Sequence, residues 1–238
     1  MSAAGAQRDR PGAAPRLAVL ASGRGSNLQA ILDAIAAGRL RAEVAGVFSD
    51  RPGCGALQRV AADRRWAAMP ARFPDRAAFD EALGDAVAAC RPDWVVCAGY
   101  LRILGDAFLA RFRGRILNIH PSLLPRHRGL RTHARALAAG DRAHGASVHF
   151  VTPELDAGAV IAQARLAVAP GESAEGLAAR VLELEHPLLV ATLRLALSGR
   201  LAERGASVLL DGHPLFRPLL LESDGSLHAE PGSGVAAP

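Results

Sequence analysis

The chain has 238 residues, enough for one substantial domain with a real core, and half of them are hydrophobic, which excludes disorder throughout. Its formal charge is +5, yet all 28 basic residues are Arg and they are spread along the chain, so the charge reads as a solvated surface more than a nucleic-acid footprint. The absence of Lys excludes a Schiff-base lysine, a P-loop lysine and a Ser-Lys dyad.

Residues 1–15 hold Arg8, Asp9 and Arg10 and no apolar segment, so they read as a disordered leader and not a signal peptide. Leu17–Ala21 is a short apolar run, a buried strand, followed by a Ser22–Gly25 turn and a helix from about Ser26 to Ala37 with Gly38 as its C-cap. Val44–Phe48 is a second strand and Ala56–Arg65 a helix. Asp75 caps a helix that reaches Arg91, where Pro92 stops it. Trp94–Ala98 is a third strand, Gly105–Phe112 a short helix, and Ile116–His120 a strand ended by Pro121.

Strand and helix alternating at this spacing predict an α/β fold, a doubly wound, mostly parallel sheet. Ala146–Val151 and Val160–Val168 predict an antiparallel hairpin on the sheet edge. Ser173–Ser198 is a long C-terminal helix that Pro187 should kink. The domain is expected over 16–212, with a C-terminal tail over 213–238. Cys54, Cys90 and Cys97 have neither disulfide-framework nor zinc-ligand spacing, which suits a reducing cytoplasm. No stretch approaches the ~18 apolar residues of a membrane span.

Two segments carry chemistry. Gly25, Ser26 and Asn27 lie between the first strand and its helix, where small residues and free helix N–H groups suit a phosphomonoester. The loop is too short for a dinucleotide fingerprint, and a plain Gly-turn with Ser26 as N-cap is the competing reading. Asn118 and His120, two apart on a strand, face one side at the end where open α/β sheets bind ligands. An amide beside an imidazole suits acyl transfer: one holds an oxyanion, the other moves protons. Asp156, in the loop between the hairpin strands, can reach His120 and would raise its pKa. A buried Asn-His pair that merely closes a loop, with Asp156 an ordinary turn residue, is the alternative. His120, His127, His133, His144 and His149 cluster in sequence, but no metal-ligand spacing occurs, and no G-x-S-x-G elbow supports a Ser-His-Asp triad.

The runs Ala21–Ile31, Ala98–Leu104, Asn118–Pro125, His144–Val151 and Leu155–Gly158 together resemble the glycinamide ribonucleotide formyltransferases, over about 16–212. Asn-x-His-Pro-Ser marks the wider folate formyltransferase group, and the first loop narrows it. Leu101, Tyr100, Ala157 and Ala159 depart from the commoner Met, Phe, Gly and Pro. The resemblance implies a Rossmann-like formyltransferase fold. It also implies 10-formyltetrahydrofolate as formyl donor, with no metal, and a phosphorylated ribosyl glycinamide as acceptor in purine biosynthesis. Gly25, Ser26, Asn27 and Glu185 would hold the ribotide. Arg76, Leu101, Arg102, Ile103, Leu104 and Asn118 would contact the folate. Asn118, His120 and Asp156 would be catalytic, with Asp156 tuning His120; a modest upward shift from about 6.5 is expected to keep much of that ring charged at neutral pH. The implied partners are these small molecules, with neither nucleic acid nor membrane, in a monomer or homodimer. Another folate formyltransferase and a formyltetrahydrofolate hydrolase are the alternatives within enzymes. A non-enzymatic nucleotide-binding module is the alternative outside them.

Overall fold

The structure, a computed structural model, describes residues 12–229. Most of the expected leader and the end of the expected tail lie outside them. The chain divides into two compact units, the first running to Asn118 and the second starting at Ile119.

The first unit is a parallel sheet. Its strands β1 (Arg16–Leu20), β2 (Glu43–Ser49), β3 (Arg65–Ala67), β4 (Trp94–Cys97) and the start of β5 (Ile116–His120) follow the order β5-β4-β1-β2-β3. Leu17 to Leu20 are fully buried, as both faces of a parallel sheet are covered, and this is why β1 reads as an unbroken apolar run. Helix α1 (Ser26–Ala36) turns Leu28, Ile31 and Ala34 inward at a spacing of three and ends where Gly38 takes φ 68°. Asp75 caps α2 (Arg76–Ala89) as expected, accepting from the Ala78 N–H at 2.8 Å. A short helix, α3 (Asp106–Arg111), precedes β5.

The helix expected over Ala56–Arg65 is not formed. Two 3-10 turns, Gly55–Arg59 and Ala62–Arg64, occupy the segment, and Arg65 already belongs to β3. Val60 is extended between them, and the Ala56 N–H is drawn to the Gly23 carbonyl at 3.1 Å.

In the second unit, α4 (Thr132–Ala138) leads into the expected antiparallel pair β6 (Ala143–Phe150) and β7 (Val160–Ala167), with an irregularity between Val148 and His149. Helix α5 (Ala174–Leu197), capped by Ser173 through the Gly176 N–H, packs on both strands and runs unbroken through Pro187. After it, β8 (Leu201–Arg204), β9 (Ser207–Leu210) and β10 (His213–Leu215) form a separate antiparallel sheet. Then β11 (Leu219–Leu221) pairs parallel with β7, and β12 (Leu227–His228) pairs with β11.

The antiparallel pair extends the sheet as expected, with β11 added on the far side of β7, and the segment expected as a tail over 213–238 carries short strands as far as His228. Three consecutive Leu after Pro218 satisfy the open side of β7 and gain burial there, Leu219 most of all. No helix among the described residues is long and apolar enough to cross a membrane.

Candidate active site

Of the residues expected to carry chemistry, Asn118 closes the first unit, and His120, at the end of β5, and Asp156, in the loop between β6 and β7, belong to the second. Alternation along β5 turns Asn118 and His120 to one face. His120 is 6% exposed; its Nδ1 lies 3.3 Å from Asp156 Oδ2 and its Nε2 donates to the His127 carbonyl at 3.1 Å. Asp156 takes a left-handed φ of 48° in the loop between β6 and β7. There its Oδ2 also accepts from the Gly129 N–H at 2.8 Å, while Oδ1 faces His149 Nε2 at 3.6 Å. His149 donates from Nδ1 to the Phe150 carbonyl at 2.7 Å, which fixes its ring.

The electrostatics correct one expectation. Burial pulls the His120 imidazole below its ordinary range and outweighs the opposing pull of Asp156 and the His127 carbonyl. The resting ring is therefore neutral at pH 7, not charged. Burial acts on Asp156 in the opposite sense, but His149, His120 and the Gly129 N–H together outweigh it and hold the carboxyl below the usual range. A neutral imidazole has one N–H for two facing acceptors, Asp156 and the His127 carbonyl; an imidazolium has one for each. The site thus holds a base whose protonated form is already provided with partners.

The loop after His120 is pinned from below. Ser147 Oγ donates to the Ser122 carbonyl at 2.7 Å and accepts from the Leu124 N–H at 3.1 Å and from Gln163 Nε2 at 3.0 Å. Gln163 Nε2 also donates to the Leu124 carbonyl at 2.9 Å. All of these groups are buried, so the network holds the residues that follow His120 at a high cost of disruption. Ser147, Gln163, Gly129 and the His127 carbonyl were not assigned from sequence. Their partners are distant in the chain, and only the positions of Ser147 and His149 in the His144–Val151 run gave any signal.

Gly158 couples the loop to β6: a Cβ there would lie 1.8 Å from the Phe150 carbonyl oxygen. Gly158→Ala is expected to displace Asp156 two residues away and to lower turnover by about tenfold to a hundredfold. Steady-state kinetics on the folded variant check this.

The remaining assigned residues divide between the units. In the first, Gly25 is the N-cap of α1 at φ 77° with no side-chain cap, so Ser26 is not the N-cap and the leading N–H groups are not taken by one. A Cβ on Gly25 would meet Ala56 Cα at 2.7 Å, so the turn needs glycine twice over. Asn27 is buried beside it. Arg76 donates to the Ile103 carbonyl at 2.8 Å, and Arg102 lies over the Phe79 ring at 5.1 Å. Leu101 and Ile103 are exposed, an apolar pair on the surface, whereas Leu104 is a core residue at 5% exposure. In the second unit, Glu185 is buried within α5. A cavity of about 650 Å³ lined by Leu124, Gln163, Arg165, Phe216 and Arg217 contains none of the assigned residues, so volume alone does not mark the site. Among the described residues no group of three His, Cys, Asp or Glu is placed to hold a metal ion.

A mostly parallel α/β sheet with an imidazole and a carboxylate at a strand end suits proton-transfer chemistry, and similarity to known proteins identifies the class as a formyl-group transferase. The formyl transferase family matches residues 15–193, and the chain belongs to that family. It is 43% identical over 201 residues to phosphoribosylglycinamide formyltransferase of Escherichia coli, covering 84% of this chain and 95% of that one. It is 45% identical over 186 residues to the Mycobacterium tuberculosis protein of the same name, covering 77% and 85%. The solved phosphoribosylglycinamide formyltransferase of Coxiella burnetii superposes with a TM-score of 0.81 at 44% identity, covering 85% of this chain and 96% of that one.

Proposed function

We propose that the protein transfers the formyl group of 10-formyltetrahydrofolate to the primary amine of N1-(5-phosphoribosyl)glycinamide, a step of purine biosynthesis. The observation that carries this reading is the buried His120–Asp156 pair, 3.3 Å apart, at the end of β5. The amine attacks the formyl carbon and its carbonyl oxygen becomes an oxyanion. Asn118 donates to that oxyanion. Neutral His120 keeps its Nε2–H on the His127 carbonyl and takes up at Nδ1, beside Asp156, the proton the amine loses; the resulting imidazolium is held by both partners. The imidazolium stabilises the oxyanion in turn and returns the proton to the departing folate nitrogen as the C–N bond breaks. No covalent enzyme intermediate forms.

Gly25, Ser26 and Asn27 bind the ribotide phosphate at the head of α1, and Glu185 contacts the ribotide. Arg76, Leu101, Arg102 and Ile103 contact the folate by side chain, and buried Leu104 through its backbone. A reducing, cytoplasmic setting belongs to the same reading, in keeping with three cysteines present as thiols.

The test is to mix purified protein with formylfolate, with and without the ribotide, and follow tetrahydrofolate release. Release that requires the ribotide supports transfer. Equal release without it means a hydrolase, and no release with this amine means another acceptor. Asn27→Ala is expected to raise KM for the ribotide about tenfold or more, as for a lost charge-assisted contact, with KM for the folate little changed. The reverse pattern would place the phosphate elsewhere.

A further inference from the structure

A second carboxylate–imidazole contact lies beside the first. Asp141 follows α4, and its side chain is 6% exposed. Its Oδ2 meets His127 Nε2 at 2.7 Å, and its Oδ1 accepts from the Arg126 guanidinium. Ser122 Oγ donates to the Arg126 carbonyl at 2.7 Å, so the turn is gripped on both sides. His127 sits at φ 55°, a left-handed conformation that an L side chain adopts at a cost and that must be compensated by its surroundings. That conformation is what aims the His127 carbonyl at His120 Nε2. At a left-handed φ in a turn, Asn or Gly is the ordinary occupant.

We propose that Asp141 is a positioning residue: by holding the Arg126 and His127 side chains together it sets the His127 carbonyl as the second acceptor of the His120 imidazolium. The proposal deepens the formyl-transfer reading and rests on it for its kinetic consequence. A carbonyl bonded to the ring N–H favours the charged ring. Losing its alignment makes His120 a weaker base without touching either substrate.

Other charges bear on the same ring and stay in place in the variants below. Asp156 from the β6–β7 loop, His149 and His144 from β6, and Arg135 and His133 from α4 act on His120. Asp141 itself faces Arg126, His127 and His144.

Two variants test the clamp. Asp141→Asn keeps the size and one acceptor but removes the charge. His127→Asn suits a positive φ but is too short to reach Asp141. The His120 ring is followed by NMR in the full-length, nitrogen-15-histidine-labelled protein from about pH 4 to 8. Its midpoint is expected to fall by about half a unit or more in both variants. kcat is expected to fall about tenfold with each KM within about twofold. A merely structural role would lower thermal stability and leave the midpoint of the folded protein where it was. A folded variant whose midpoint or whose kcat matches the wild type overturns the proposal. Should Asp141→Asn fail to fold, His127→Asn decides alone. A wild-type protein that transfers no formyl group refutes the functional reading, and the NMR midpoint still tests the clamp.

Discussion

Replacing His120 with Ala is expected to lower kcat by about a thousandfold while each KM stays within about threefold. In the proposed mechanism the ring acts on the reaction and not on the ground-state substrates; it lies at the strand end, 6% exposed, between Asp156 and the His127 carbonyl. Removing it deletes the proton carrier and one source of positive charge beside the oxyanion together, and such effects compound in kcat. The variant also takes the ring N–H from the His127 carbonyl, a stability loss of about 1–3 kcal/mol, so thermal unfolding is compared first to confirm a folded protein. A fall in kcat with unchanged KM is the signature of an interaction made only in the transition state. A large rise in KM with unchanged kcat would show His120 to be a binding residue.

Asp156→Asn is expected to lower kcat by about a hundredfold and to shift the acid limb of the rate profile to lower pH. The carboxylate opposes the desolvation of His120, so its loss leaves burial unopposed on that side and lowers the ring's basicity further. Asn also presents an amide that can face His120 with a donor where an acceptor is required, or lose the Gly129 N–H by turning. The direction of the shift separates this role from a loop-folding role, which would reduce rate at every pH alike. An acid limb that moves upward would show that another group sets it.

Much of this arrangement was legible in the sequence because it is local. β1, β4 and β5 are apolar runs bounded by turns, and Asp75 and Ser173 cap helices that begin one residue later. Asn118 and His120 share a face through strand alternation alone. What was not legible depends on partners far along the chain. The Ala56 N–H bonds to the Gly23 carbonyl, and Gly55–Arg59 and Ala62–Arg64 form 3-10 turns where a helix was expected. Leu219–Leu221 becomes a strand because β7 offers it a side. Gln163 reaches the Leu124 carbonyl across 39 residues, and no periodicity announces that contact. The direction of the His120 shift needed the degree of burial: proximity of Asp156 alone predicts a charged ring, and desolvation reverses the sign.

The loop residues form a graded set. Asp156 acts on His120 directly, whereas Ser147, Gln163 and Asp141 hold the backbone that surrounds it. Gly158 sets how closely the Asp156 loop lies against β6. Changes in the surrounding residues therefore alter geometry first and chemistry through it, so their effects on kcat should be smaller than those of His120 and Asp156.

The most direct test of a resting neutral base at position 120 is kcat as a function of pH at saturating substrates. Expected is a plateau through neutral pH and a fall on the acid side with a midpoint below the ordinary imidazole value of about 6.5. A kcat that instead climbs as pH drops through that range would mean that the charged ring is the working form and that His120 does not take the amine proton as a base.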